Sequence, residues 1–291
     1  MISIIITAYK ESQTIGRAIE QVLKNNLKNY EIIVVAPDKE TIDKTKEYAK
    51  KNKKIRVVID EQKGKPAALN LAVSKSNGEI LILSDGDVYV DDTALVSLIE
   101  QFKDERIGAV SGNPISLNPK NRMFSFWAYL LTNVANENRI KAAKVNRRFF
   151  CSGYLFAIRK KLFPNLPEEL LSEDGYISNA VYEKGSLIAY SEKSRVYIKY
   201  PTNFKDWIIQ KKRSVGGYNQ IRKMKNVEIR SFKQESFGAV SLLKYANGIK
   251  ELFWLSVLFL ARIYLWIKIY LDINIKKKSS REIWKRVEST K

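Results

Sequence analysis

Two aspartates follow an apolar run in the N-terminal half of the chain. Residues 80–83 read ILIL and residues 84–92 read SDGDVYVDD, so one glycine separates Asp85 from Asp87. In an extended segment such a pair points to one side, and its charges repel unless water or a cation lies between them. Mg²⁺ and Mn²⁺ prefer oxygen ligands, and Mg²⁺ commonly shares its shell between carboxylates, phosphates and water. The pair suggests a metal–diphosphate site, although a solvated loop after a strand is the commoner origin of such a segment taken alone.

The residue types available for acid–base chemistry are restricted. The 291 residues include no histidine, which excludes Ser-His and Cys-His nucleophilic systems and the usual zinc sites. A general base working near neutral pH is therefore expected to be a carboxylate. Glu173 and Asp174, in LLSEDGYIS, are candidates, although Ser172 can equally cap a helix whose first turn the two acids stabilise. The single cysteine, Cys151, excludes an internal disulfide and fits either a reducing cytosol or a protein that is indifferent to redox state.

Strands and helices alternate with short connections through the first 115 residues. Apolar, β-branched runs predict the strands, and apolar residues at helical spacing predict the helices. The predicted strands are 2–8, 30–36, 55–60, 79–84 and 107–112. The predicted helices begin after Ser12 as an N-cap and then at about 41–51, 66–76 and 93–103. This alternation predicts an α/β fold with a mostly parallel sheet, helices on both faces, and ligands at the carboxyl ends of the strands.

The pattern changes after about residue 115, where an aromatic-rich helical segment begins. Longer helices and isolated strands replace the regular alternation. The predicted elements are a helix at 124–144, a strand at 150–158, a helix from Glu173, strands at 186–190 and 195–199, and a basic helix at 204–225.

Four segments, in this order and spacing, resemble the family 2 glycosyltransferases, which have the GT-A fold. They are IITAYKE at 5–11, VVAPD at 34–38, EQKGKPAALN at 61–70 and GEILILSDGDV at 78–88. The resemblance covers residues 1 to about 225. It implies a Rossmann-like catalytic domain at 1–225, with a nucleotide-binding half (1–115) and an acceptor half (116–225), followed by a basic C-terminal helical region at 226–291.

The resemblance implies roles for individual residues of the nucleotide-binding half. Lys10 stands where the family usually has Asn, and Ala36-Pro37-Asp38-Lys39 replaces its usual Asp-Asp-Gly-Ser. Each of these residues also has a purely structural interpretation. Glu11 can interact favourably with a helix N-terminus, Asp38 can form a turn, and Lys65 can be a solvated loop lysine. The implied roles are base and ribose binding by Thr7, Ala8, Tyr9 and Glu11, base contact by Asp38, a loop over the nucleotide at Gly64 and Lys65, ribose contact by Asp85 and metal ligation by Asp87.

The resemblance also implies how the acceptor is activated. Asp174 matches the aspartate that removes the proton from the acceptor hydroxyl, and Glu173 matches a supporting group. In CSGYLFAIRK, at 151–160, Gly153 lets a sugar come close or marks a β-bulge.

The basic helix at 204–225 carries part of another family motif. Gln210 and Arg213 match the polar positions of Gln-x-x-Arg-Trp, but Ser214 replaces the Trp, which counts against polymer synthesis. Arg213 is expected to neutralise diphosphate charge in the transition state, whereas the plain alternative is a basic, solvated helix face.

The C-terminal part of the chain points to a membrane. Residues 205–291 hold 20 Lys+Arg against 7 Asp+Glu, which is +13 of the total +20. The segment 249–273 is apolar and aromatic, but Arg262 and Lys268 interrupt it, so a helix lying in the interface is favoured over a spanning one. A core helix of a soluble protein is the alternative. Lys276 to Lys278 would face anionic lipids at the cytoplasmic face of the cell membrane, and the N-terminus has no signal-peptide pattern.

The sequence therefore predicts an inverting, metal-dependent glycosyltransferase. It would use Mg²⁺ or Mn²⁺ and a UDP- or GDP-sugar, with a lipid-linked or glycan acceptor near a membrane and no nucleic acid partner. One alternative is a nucleotidyltransferase on a related fold, which normally needs a glycine-rich loop that Thr7 to Ser12 lacks. The other is a non-catalytic basic module that binds membranes or nucleic acid.

Overall fold

The computed structural model describes residues 1–225, 240–276, 282 and 285–290. Eight strands and eight labelled helices lie in these ranges. The strands are β1 (Ile2–Thr7), β2 (Tyr30–Ala36), β3 (Ile55–Ile59), β4 (Ile80–Asp85), β5 (Tyr89–Val90), β6 (Ile107–Ser116), β7 (Leu155–Arg159) and β8 (Leu187–Ile198). The helices are α1 (Ile15–Lys24), α2 (Lys39–Lys51), α3 (Lys65–Ser74), α4 (Ala94–Glu100), α5 (Met123–Lys144), α6 (Glu173–Glu183), α7 (Phe204–Lys225) and α8 (Ile249–Tyr270).

All eight strands form one mixed sheet in the order β3-β2-β1-β4-β7-β6-β8-β5. The β3-β2-β1-β4 half is parallel, as predicted, while β7 runs antiparallel to β4 and to β6, and β5 runs antiparallel to β8. In the parallel register Thr7 lies beside both Val35 and Asp85. The ends of β1, β2 and β4 therefore meet at one edge of the sheet, which is where ligands of open α/β sheets bind.

Buried apolar residues stabilise the parallel half of the sheet. Its central strands are almost completely buried on both faces, as near-continuous Ile, Val and Leu runs require. α1, which contacts α2 and β5, is buried through Ile15, Ala18, Ile19 and Val22, whose spacing places them on one side of the helix. The α/β fold expected from the sequence is confirmed.

Two local expectations are wrong, and one short strand was not predicted. α1 is preceded by Thr14 at the N-cap position, so Ser12 is not its cap. The two short strands expected at 186–190 and 195–199 are one strand, β8, because the exposed pair Glu192 and Lys193 interrupts the in–out alternation without ending the strand. β5 has only two residues and was not expected at all.

The chain divides into two compact units. Unit one consists of residues 1–115, 136–169 and 173–198, and it contains nearly all of the sheet. Unit two consists of 116–135, 170–172 and 199–291. Its buried core is helical and rich in aromatic residues, and it includes Phe126, Trp127, Leu130, Trp207, Val215, Leu255, Leu258, Ala261, Leu265 and Ile269. Lys277 and Lys278, expected to face lipid headgroups, lie outside the described residues.

Candidate functional site

The acidic segment leaves the sheet through a tight turn. β4 ends at Asp85, and Gly86 and Asp87 form a turn before β5, so the segment is not extended as expected. The amide of Gly86 donates to the carbonyl oxygen of Thr7 at 2.9 Å. A Cβ built on Gly86 would lie 2.8 Å from the Cβ of Ala8, which is too close. Glycine is therefore required for the turn to pack against the end of β1.

Asp85 is held by two donors from different elements. Its Oδ1 accepts a hydrogen bond from Thr7 Oγ1 at 3.0 Å and forms an ion pair with Lys65 Nζ at 2.7 Å. The same Nζ lies 2.6 Å from Oε1 of Glu173, the first residue of α6. Lys65, Asp85 and Glu173 side chains are only 27%, 23% and 13% exposed. One ammonium thus joins the end of β4 to the start of α6.

The charges of this cluster depend on one another. Burial raises the pKa of Asp85, Lys65 lowers it and Asp87 raises it, and the pKa ends above the ordinary value. Burial also acts to lower the pKa of Lys65, but Asp85 and Glu173 outweigh it and keep the pKa above its usual range. Lys65 is therefore a cation at any ordinary pH.

The acidic residues fit a metal that is shared with a substrate. Within the described ranges, no group of three or more Asp, Glu, Cys or His side chains is gathered to hold an ion. Mg²⁺ is usually held by only one or two carboxylates plus substrate phosphates and water. Asp87 and Asp85 are a donor set of that kind, whereas they are too few for a cage built of protein alone.

Asp38 ties the end of β2 to the segment after β1. Its Oδ1 accepts from the amide of Thr41 at 3.0 Å, which makes it the N-cap of α2, and its Oδ2 accepts from the amide of Lys10 at 2.8 Å. Burial acts to raise the pKa of Asp38, but these hydrogen bonds lower it below the ordinary value. Lys10 adopts a positive φ of 56°, a conformation that Asn favours over Lys. Asp38 therefore lies against the segment that follows β1.

Glu11 and Tyr9 are both engaged by neighbours that the sequence did not single out. Glu11 is buried, its amide donates to Thr41 Oγ1 at 2.9 Å, and its Oε2 accepts from Thr14 Oγ1 at 2.9 Å. The Tyr9 hydroxyl accepts from Gln62 Nε2 at 3.1 Å. Thr41 and Gln62 carried no signal in the sequence beyond their polarity, because each contact joins distant segments.

Asp174 lies in the first turn of α6, as expected. A Cβ built on Gly153 would lie 3.3 Å from Asp174 Oδ2, so the glycine gives this carboxylate its space. Ser178 Oγ donates to the Asp174 carbonyl at 2.6 Å and accepts from the Cys151 amide at 2.9 Å. These hydrogen bonds hold the segment before β7 against the turn that carries the expected base.

Gly64, the other glycine predicted to lie near the ligand, is the N-cap of α3, the helix that begins with Lys65. Its φ is 100°, a backbone conformation that favours glycine.

Gln210 and Arg213 lie on α7 and belong to unit two. Gln210 is buried, and its main-chain carbonyl oxygen accepts a hydrogen bond from Ser214 Oγ at 3.3 Å. Further along the helix, a Cβ built on Gly217 would lie 2.5 Å from that of Ser172. The Gly-Gly pair at 216–217 was an available signal for this close approach, and the sequence interpretation overlooked it.

Comparisons with known proteins show which family the chain resembles. The sequence profile of Glycosyl transferase family 2 matches residues 3–166. Poly-beta-1,6-N-acetyl-D-glucosamine synthase of Staphylococcus aureus (strain COL) is 34% identical over 118 residues, 39% of this chain and 28% of that protein. Glycosyltransferase GlyA of Streptococcus pneumoniae serotype 4 is 22% identical over 205 residues, 66% of this chain and 30% of that protein. The chain thus aligns with less than a third of the length of these relatives.

Two solved structures share the fold. Mannosyltransferase PcManGT from Pyrobaculum calidifontis, in complex with GDP-Man and Mn²⁺, gives a TM-score of 0.62 at 16% identity, covering 93% of this chain and 84% of that one. A TarS fragment from S. aureus in complex with UDP-GlcNAc gives 0.52 at 16% identity, covering 84% and 72%. At these identities the likeness establishes the architecture alone.

Proposed function

We propose that this chain, which belongs to glycosyl transferase family 2, is a glycosyltransferase that moves a sugar from a nucleotide-sugar, with inversion and with a divalent metal, to an acceptor hydroxyl. The observation that carries the proposal is the Lys65 ammonium, which contacts Asp85 and Glu173 at 2.7 and 2.6 Å. Through this contact the acids expected to serve the donor adjoin the acids expected to serve the acceptor.

The proposed donor is a UDP- or GDP-sugar. PcManGT was solved with GDP-Man and Mn²⁺, and TarS with UDP-GlcNAc, which supports a nucleotide-sugar with Mg²⁺ or Mn²⁺ here. Asp87, with Asp85, would hold the metal, and a bound metal supplies positive charge to the departing diphosphate. Thr7, Ala8, Tyr9, Glu11 and Asp38 remain predicted contacts of the nucleotide, supported by their common position at the edge where β1 and β2 end. Gly64, at the start of α3, remains a predicted contact as well.

Asp174 is the proposed base. Its carboxylate takes the proton of the acceptor hydroxyl while the acceptor oxygen bonds to the anomeric carbon. The bond from that carbon to the diphosphate oxygen breaks, and the leaving group departs with the electron pair. Attack from the side opposite to the leaving group inverts the configuration. Gly153 supports the assignment because it leaves room beside Asp174 Oδ2.

Lys65 and Glu173 are proposed to position the base. Glu173 precedes Asp174 in the first turn of α6, so an ion pair that holds Glu173 also restricts the turn that carries the base. Lys65 therefore acts through Glu173 rather than by taking part in proton transfer. The roles of Gln210 and Arg213 remain predictions that follow from the resemblance.

The acceptor is proposed to be lipid-linked or a membrane-proximal glycan, and the site of action the cytoplasmic face of the cell membrane. Support comes from the +13 charge of residues 205–291 and from α8, the one described helix long and apolar enough to cross a membrane. The division into a catalytic domain at 1–225 and a basic region at 226–291 is retained as part of the proposal.

A thermal-shift screen tests the donor assignment. Nucleoside diphosphates and sugar nucleotides are added with and without Mn²⁺, and one donor is expected to raise the melting temperature only with the metal. Asp87→Ala should lose this shift, whereas Asp92→Ala, an exposed acid of the same segment, should keep it. An equal shift in Asp87→Ala would contradict the site, and salt-sensitive nucleic acid binding without a donor response would favour the non-catalytic module.

A further inference from the structure

Helix α8 has one face inside unit two. Its buried residues, Leu255, Leu258, Ala261, Leu265 and Ile269, recur at helical spacing over four turns. They join the aromatic core of unit two, and the indole Nε1 of Trp127 donates to the carbonyl of Trp254 at 2.8 Å. Protein therefore covers one side of α8 along most of its length.

The opposite face of α8 is exposed and apolar. Phe253, Leu260 and Ile267, seven residues apart, lie in one line along the helix and are 63%, 65% and 54% exposed. Ser256, which is also exposed, donates a hydrogen bond from its hydroxyl to the Leu252 carbonyl at 3.1 Å. Single exposed apolar residues are ordinary, but a continuous face of this kind marks an interaction site. Its other large members are Ile249, Leu252, Phe259, Tyr264 and Tyr270.

Cations lie at the margins of this face. Lys250 Nζ is 4.8 Å from the ring centre of Trp254, and Lys268 Nζ is 5.6 Å from that of Tyr264. Glu251, the acid in the first turn, is neutralised by Lys120 at 3.2 Å. An apolar face bordered by aromatic rings and lysines matches the acyl chains and anionic headgroups of a bilayer surface.

We propose that α8 lies along the membrane surface, with the line Phe253–Leu260–Ile267 in the acyl boundary and Lys250 and Lys268 at the headgroups. A spanning orientation would carry the core packed on its other face into the hydrocarbon as well. It would also place Arg262 near mid-span, which is costly. The inference specifies the membrane contact of the proposed function, and its test does not depend on catalysis.

Depth measurements on labelled protein distinguish the two orientations. Single cysteines at 253, 260 and 267 are spin-labelled in the full chain, in which Cys151 is buried and is replaced by Ala if it reacts. Accessibility to oxygen and to a nickel chelate is read on phosphatidylglycerol-containing vesicles. A helix lying flat gives three similar, shallow depths. A spanning helix changes depth by about 10 Å between successive labels, and that result would overturn the proposal.

A charge on the exposed face tests the contact itself. Leu260→Asp should weaken vesicle binding by about tenfold or more, because the face loses apolar area and gains a charge. Val145→Asp, the same kind of change at a 70% exposed residue of unit one, should bind as the wild type does. Circular dichroism checks that both variants fold. Unchanged binding by Leu260→Asp, or a lipid-free dimer that this variant dissociates, would contradict the membrane assignment.

Discussion

The acidic cluster of unit one and the exposed face of α8 carry opposite kinds of surface. In the cluster, charged groups are mostly shielded from water and the acids are paired with donors, as Asp85 is with Lys65 and Thr7. On α8, apolar side chains face outward and cations stand at the edges. Shielded charge and exposed apolar area are both unfavourable in water alone. The two proposals accordingly assign each region a different ligand, a charged metal–nucleotide in one case and a lipid surface in the other.

The two regions also differ in how they are related to known proteins. The family profile ends at residue 166 and so includes Asp85, Asp87 and Lys65 but not α8. The acids at the end of β4 can be compared with the family profile, whereas Asp174 lies beyond it and the role of α8 depends on its own packing. Substitutions that affect one region and spare the other are the way to test this separation.

The substitution Asp174→Asn is expected to give the largest difference between its effect on the acidic cluster and its effect on membrane binding by α8. Loss of the base should reduce sugar transfer by about 10²–10⁴-fold, because a positioned general base typically contributes that much. Donor binding with Mn²⁺ and vesicle binding should stay near wild type, since neither needs the proton transfer. Transfer assays, calorimetry and vesicle sedimentation measure the three. A matching loss of donor affinity would mean that Asp174 holds the donor instead.

Lys65→Met should have the next largest effect. It leaves Asp85 and Glu173 without their shared cation, so turnover should fall about 10–100-fold through mispositioning. The free energy of unfolding should fall by about 1–3 kcal/mol, since buried charged groups lose a hydrogen-bond partner. Urea unfolding and steady-state kinetics measure both.

Lys65→Arg is the matched control for that variant. It keeps the charge and should restore most of the stability and part of kcat. If Lys65→Met were as active as the wild type, the coupling of the two acids would be irrelevant to function.

A smaller change is expected from Gly153→Ala. The new Cβ would lie 3.3 Å from Asp174 Oδ2, which forces the carboxylate to shift by a few tenths of an ångström. We expect kcat to fall about tenfold while KM for the donor hardly changes. Gly185→Ala is not a clean control because its φ is 76°, so Ser152→Ala in the same segment serves instead. A raised donor KM with normal kcat would place Gly153 on the donor side.

The features behind these predictions differ in how well the sequence alone could predict them. The position of Asp85 followed from a strand that ends in acids, and Asp174 followed from the family motif. The Lys65–Glu173 ion pair joins residues 108 positions apart. The packing of Gly153 on Asp174 likewise depends on how β7 and α6 fold together. Local sequence patterns predict where strands end and how motifs are spaced, but they do not show which distant segments come into contact.

The same limit explains what was missed elsewhere. The apolar character of 249–273 was evident, but only packing shows that Leu258 and Leu265 face protein while Leu260 and Ile267 face outward. β5 escaped notice because two residues carry no periodicity, and its pairing with β8 at Tyr197 and Val196 is entirely non-local.

The smallest effect is expected from Asp38→Ala. Loss of the cap of α2 should lower the free energy of unfolding by about 1 kcal/mol at neutral pH. The pKa of Asp38 is lowered in the folded protein, so its ionised carboxylate stabilises the fold above the ordinary pKa of about 4 and ceases to as pH falls through the lower folded value. The difference between the variant and wild type should shrink on acidification in denaturant titrations. A difference that grows at low pH would contradict this.

The acids at the end of β4 are central to the proposed function, because they are expected to bind a divalent ion together with a diphosphate. A crystal grown with Mn²⁺ and the donor found in the thermal-shift screen tests this through the anomalous signal of manganese. We predict one manganese within about 2–2.3 Å of an Asp87 oxygen and in contact with the diphosphate. Manganese and nucleotide bound elsewhere, or Asp85 and Asp87 turned outward into solvent, would contradict the account.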